Sequence, residues 1–271
     1  MSTPVKTIPP WAFFSLVTNF ILILAVIVLI LRQHGLTAFL AKIFPKANDK
    51  TEAITRQSTF RHQLTYEQWL DILQQEAKVA AQKNPQNLTI LAGDSLSLWF
   101  PIELLPTQRN WLNQGISGET STGLLKRLKL FDVTKPQTIF VMIGINDLIK
   151  GASDEIILDN QRQIILYLQR AHPKTQIVIQ SILPRAGESA IWKGGEKLLA
   201  VSNSRIRQLN RQLQNTAANE GVKYLDLYPL FANQHGELRP ELSTDGLHLN
   251  AQGYLVWSSA LQLYSHLELK N

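Results

Sequence analysis

The sequence predicts an α/β domain built on a parallel sheet with helices on both faces. Three observations point to it. From about residue 64 onward, short apolar runs alternate with longer amphipathic stretches. The runs lack polar alternation, as strands buried on both faces should. Residues able to do chemistry follow the runs, at what would be the carboxyl edge of such a sheet, where ligands bind.

Residues 1–10 form a tail. Trp11 to Leu31, "WAFFSLVTNFILILAVIVLIL", is free of charge. At about 1.5 Å per residue it matches the hydrocarbon core of a bilayer as one transmembrane helix. No small-residue cleavage site follows, so it reads as an uncleaved, single-pass anchor rather than a signal peptide. Residues 32–63 form a juxtamembrane linker. Within it Leu36, Phe39, Leu40 and Ile43 recur at helical spacing, which fits either an interfacial helix or a continuation of the anchor. Lys6 and the amino terminus precede the span, while Arg32, Lys42 and Lys46 follow it. That count leans toward a cytoplasmic domain by one charge.

Residues 64–271 carry the alternating pattern. A helix starts at Thr65, with Gln68 completing a capping box, and Leu70, Ile72, Leu73 and Ala77 as its apolar side. Strand "LTILAG" (88–93) follows. Then come a helix (120–131), strand "TIFVMIG" (138–144), and an amphipathic helix (153–171) stopped by Pro173. Strand "QIVIQSI" (176–182), one long helix (196–221) closed by Gly221, strand "KYLDLY" (223–228) and a last helix (251–269) complete the order.

Composition narrows the function. The 271 residues are 45% hydrophobic and 18% charged, enough for a core. There is no cysteine, which excludes a thiol nucleophile, a zinc–cysteine site and disulfides. Of the net charge of +6, residues 1–63 hold +5 and the rest of the chain +1. The basicity belongs to the tail, which suits an anionic membrane surface. It does not suit a nucleic-acid reader, which needs a basic face within its domain.

The chemistry gathers in three segments. In "LAGDSLSLWF" (91–100) an apolar run ends at Gly93, Asp94 and Ser95. A serine needs a base to take its proton. Of six histidines, His34 and His62 lie in the tail and linker, His172 at a helix end and His266 on the last helix; His235 is a loop competitor. His248 differs, because Asp245 lies three residues before it in "STDGLHLN", the base-plus-orienter relation of a triad. Gly144-Ile145-Asn146-Asp147 closes another strand. By average composition G-D-S-L arises by chance in roughly 0.007 chains of this length. Asp94 and Asp147 read as caps, and Gly118 and Asn146 each have an ordinary reading as turn residues.

These blocks resemble the SGNH (GDSL) hydrolase family. "GDSLS" (93–97), "NQGISGET" (113–120), "GIND" (144–147) and "DGLH" (245–248) match its signature blocks. The resemblance covers about residues 86–268. It implies a flavodoxin-like three-layer α/β/α sandwich with a five-stranded parallel sheet, and ester or thioester hydrolysis without metal or cofactor. It implies Ser95 as nucleophile, with Asp245 and His248 completing the triad. Ser95 and Gly118 N–H and the Asn146 amide would form the oxyanion hole. It also suggests an extracytoplasmic domain, against the charge count.

The reading is a membrane-anchored serine esterase acting on a lipid, lysophospholipid or acetylated glycan. The rivals are an O-acyltransferase acting on an envelope glycan and a non-catalytic binding module. Leu96 to Pro106 could wall the substrate site, and the loop 184–196, with Trp192, is a candidate lid or binding loop.

Overall fold

The computed structural model describes residues 64–188 and 190–269. The expected anchor at 11–31 and the juxtamembrane segment 32–63 lie outside the described residues. Among the described residues no helix is long and apolar enough to cross a membrane.

Helix α1 (Tyr66–Lys83) begins as expected: the Thr65 side chain accepts from the Gln68 N–H, and the Gln68 side chain accepts from the Thr65 N–H. Its buried stripe is Trp69, Leu73 and Ala77, at four-residue spacing. Strand β1 (Leu88–Gly93) leads into the one-turn helix α2 (Ser95–Leu98). Strand β2 (Asn110–Gly115) is followed by α3 (Ser121–Arg127), capped by Thr120. Strand β3 (Thr138–Met142) leads into α4 (Ile145–Ile149) and then α5 (Asp154–Ala171), capped by Ser153. Strand β4 (Gln176–Gln180), α6 (Gly195–Leu199), α7 (Asn203–Asn219), β5 (Lys223–Leu225), α8 (Tyr228–Phe231) and α9 (Ala251–Glu268) complete the chain order.

The five strands pair in parallel in the order β2-β1-β3-β4-β5, the flavodoxin-like order. Alternate residues supply two cores. Ile90, Ala92, Ile139, Val141, Ile177 and Ile179 face α1, α3, α5 and the end of α7. Leu91, Phe140, Met142, Val178 and Leu225 face α2, α8 and α9. This is why the runs read as continuously apolar. Trp257 on α9 is fully buried and gives its indole N–H to Gln180 Oε1 at 2.8 Å. The Tyr254 hydroxyl donates to the Leu96 carbonyl at 3.0 Å, joining α9 to α2.

Several expected boundaries are corrected. Strand β2 has no counterpart among the expected strands, because Asn110, Asn113 and Gln114 break its apolar character. Strands β3, β4 and β5 end earlier than expected, because side chains take over the backbone at the carboxyl edge. Ile143 O accepts from Gln161, Ile182 exchanges two hydrogen bonds with the Asn210 amide, and the Ser181 hydroxyl accepts from both Leu227 and Tyr228 N–H. The single helix expected over 196–221 is two, α6 and α7. Ser202 caps α7 and the Asn203 amide grips Arg185 N–H and O, so the chain turns there.

Candidate active site

Strand order reverses between β1 and β3, and the polar residues of the sequence motifs collect at the carboxyl ends of these strands. A Cβ at Gly93 would collide with the Met142 carbonyl and the Ser97 hydroxyl, so only glycine fits the last position of β1. Asp94 caps α2, its Oδ1 accepting from Leu96 N–H at 2.9 Å. Ser95 is then the first residue of α2, where its N–H has no intrahelical acceptor.

The Ser95 hydroxyl lies 3.1 Å from His248 Nε2, across 153 residues of sequence. His248 Nδ1 lies 2.8 Å from Asp245 Oδ2. With Nδ1 protonated toward the carboxylate, Nε2 is left to accept from Ser95. The other Asp245 oxygen accepts from the N–H groups of Leu247 and His248 at 2.9 and 2.8 Å. Burial alone would raise the Asp245 carboxyl, but the imidazole and these two N–H groups outweigh it and hold it below the usual carboxylate value. The structure therefore brings together three residues that the sequence had singled out.

The turn is braced from behind. Ile191 and Trp192 N–H donate to the Asp245 carbonyl at 3.0 and 2.9 Å, and Ala186 N–H donates to the Gly246 carbonyl at 2.9 Å. The loop 184–196, the candidate lid or binding loop, is thus laced to the Asp–His turn as its support. The expected apolar wall after Ser95 is mostly core: Leu98 and Phe100 are buried, and the Phe100 ring lies 5.0 Å from those of Tyr254 and Trp257.

Gly118 stands on the loop after β2 in a left-handed backbone conformation, φ +72°, and its carbonyl accepts from Lys150 Nζ at 2.9 Å. Asn146 opens the turn after β3; its amide nitrogen is shielded and has no hydrogen-bond partner among the described residues. Asp147 beside it accepts from Ser121 N–H and Oγ at 2.8 and 2.6 Å. It caps α3 rather than its own helix, and so ties the Asn146 turn to the end of the Gly118 loop. Beneath that loop, the buried Arg127 guanidinium spans the Gly93 and Gln114 carbonyls and pairs with Glu119 at 2.7 Å. Sequence reasoning missed this ion pair. Its signal was a basic residue three positions after Leu124, on the buried face of α3.

Asp94 contrasts with Asp245. It is almost wholly buried, and its Oδ2 has no partner among the described residues. Burial pushes it up to about 7, the Leu96 N–H opposing and the Asp147 and Glu119 carboxylates adding. It borders an apolar cavity with room for about one water-sized sphere, roughly 10 Å³, lined also by Leu96, Ile145, Ile182, Leu183 and Leu247. Leu96, Ile145 and Leu247 are the chain neighbours of Ser95, Asn146 and His248.

The other described histidines lie elsewhere. His172 is buried against the Phe131 ring, its centroid 6.0 Å away, and burial lowers its pKa. His235 is exposed in a bend beside Gln234, and His266 is exposed on α9. Among the described residues no group of three or more His, Asp or Glu side chains is gathered as a metal would need.

Fold and site together define an ester hydrolase. The chain belongs to the GDSL-like Lipase/Acylhydrolase family, which matches residues 93–256. A Streptococcus pneumonia protein, provisionally described as a platelet activating factor, shares the fold with 26% identity and a TM-score of 0.65, over 79% of this chain and 98% of that one. The isoamyl acetate-hydrolyzing esterase of Saccharomyces cerevisiae is 26% identical over 163 residues, 55% of this chain and 66% of the relative. An N-acylneuraminate cytidylyltransferase of Streptococcus agalactiae is 27% identical over 181 residues, 67% of this chain but 39% of the relative. This chain thus spans about two fifths of that protein.

Proposed function

We propose that the chain is a serine esterase that cleaves short-chain acyl esters through an acyl-enzyme, held at a membrane by residues 11–31 with its domain outside the cytoplasm. The observation that carries the chemistry is the continuous hydrogen-bonded chain from Ser95 through His248 to Asp245. Ser95 Oγ attacks the ester carbonyl carbon as His248 Nε2 takes its proton, and Asp245 steadies the imidazolium. The N–H groups of Ser95 and Gly118 and the Asn146 amide receive the oxyanion. His248 then gives the proton to the leaving alcohol. Water, activated in turn by His248, releases the acyl group as a carboxylic acid.

The short acyl group is supported by a relative named for acetate hydrolysis. Of the substrate classes the sequence suggests, an acetylated glycan fits better than a lipid. The full chain in detergent should hydrolyse p-nitrophenyl acetate faster than the butyrate and decanoate esters, and should label with a fluorophosphonate unless Ser95 is replaced by Ala. Faster turnover of the decanoate would sink the short-acyl reading, and labelling of Ser95→Ala would sink the nucleophile. The uncharged 21-residue run and the family resemblance support the anchor and its orientation. A reporter fused after residue 271 that is active only in the cytoplasm would reverse the orientation.

A further inference from the structure

A polar concavity lies at the other end of the sheet. Asn87, Arg109 and Gln137 stand immediately before β1, β2 and β3, at the amino edge, away from Ser95. With Pro106, Gln108 and the last turns of α9 (Gln262, Ser265 and His266) they line a cavity of about 330 Å³. That volume falls in the range of small-molecule sites. Among the described residues no acidic side chain lines it.

Arg109 is its charge. The guanidinium is partly buried, and its Nη1 donates to the hydroxyls of Thr89 and Thr138 at 3.1 and 3.0 Å. These two bonds fix its orientation. Nε and Nη2 have no partner among the described residues, and no carboxylate among them lies within ion-pair distance. Burial alone lowers its pKa, with no neighbouring charge contributing. The two hydroxyls supply no counter-charge, so the guanidinium is left available to an anion entering the cavity. The Ser265 hydroxyl is shielded and has no hydrogen-bond partner among the described residues. Around them stand amide N–H groups and an imidazole, a donor set spread over several directions, which suits a tetrahedral oxyanion better than a planar carboxylate. The carboxyl end of α9 opposes an anion with roughly half a charge; the full charge of Arg109 exceeds it.

We propose that this amino-edge cavity binds a phosphate group, from free phosphate or from a small phosphate monoester, at a site separate from Ser95. Titration calorimetry on the full chain in detergent, at constant ionic strength, tests it with inorganic phosphate and with glycerol phosphate. The expected result is saturable binding of at least one of them, with no binding of chloride. Preference between the two assigns the source. Arg109→Gln should weaken binding about tenfold or more. Because Arg109 also bridges two strands, Gln262→Glu, on the exposed rim, is the second variant: it leaves the fold in place and should abolish binding by repulsion. Ser95→Ala should bind as the unchanged protein does. The proposal is overturned if neither compound binds saturably, or if Gln262→Glu binds phosphate unchanged.

Discussion

Asp94 and Asp245 flank the same serine, one in the chain and one in space, and they are built in opposite ways. Asp94 follows a strand in the interior, accepts one N–H and leaves an oxygen without a partner among the described residues. Asp245 lies on a partly exposed turn and has both oxygens hydrogen-bonded, with three bonds in all. Burial dominates the first and raises its pKa; hydrogen bonds dominate the second and lower it. Burial and partner count, rather than nearness to the serine, decide which carboxylate can support a positive imidazole.

Substitutions can break this contrast. The largest expected effect is that of Ser95→Ala, which should remove ester hydrolysis to within the background of the assay. Asp245→Asn should follow, with a loss of about 10⁴ in kcat, while Asp94→Asn keeps most of its turnover because an asparagine oxygen can still cap α2. Equal losses in the two asparagine variants would erase the distinction. Asn146→Ala should cost about 10²–10³ in kcat with little change in KM, as loss of one oxyanion donor does. Arg127→Met leaves Glu119 buried and unpaired and should cost about 3–5 kcal/mol in denaturant unfolding; adding Glu119→Gln should restore part of it.

The smallest effect concerns pH. The folded Asp94 value of about 7 lies above its ordinary 3.8. Between about pH 4 and 7 the folded protein keeps a proton that the unfolded chain releases. This contribution is complete below about pH 4 and fades as pH rises through about 7. Asp245, being lowered, acts the other way: its contribution is present above the ordinary carboxylate value and is lost in acid. Thermal unfolding of Asp94→Asn should show a flatter fall in stability over pH 4 to 7 than the unchanged chain, and an unaltered slope would remove Asp94 from this role.

Much of this was legible in the sequence, and for a physical reason. Strands β1, β3 and β4 are buried on both faces, so each announces itself as an apolar run. The Asp–His spacing of three is a local turn, and Thr65 with Gln68 is a local cap. What escaped was set by partners far along the chain. Strand β2 is an edge strand whose Asn113 serves the Ser97 carbonyl and whose Gln114 serves the Leu73 carbonyl, so its polar residues hide it. Gln161, Asn203 and Asn210 look like surface amides of helices, yet Gln161 and Asn210 take up backbone groups just past the ends of β3 and β4, and Asn203 holds the backbone of Arg185. Arg127 looks like an ordinary basic residue in the last turn of a helix until Glu119 is found beside it.

The bond from Tyr254 to the Leu96 carbonyl, with the reach of His248 to Ser95, has a consequence for the life history of the molecule. The nucleophile segment is synthesised well before the base and the helix that steadies the serine turn. A nascent chain therefore carries its serine without its proton acceptor. Loss of α9 would remove its latch on the serine turn and also strip Tyr254, Trp257 and Leu261 from the core on that face of the sheet. Hydrolytic competence thus waits until His248 and Tyr254 have been made and packed against the serine turn.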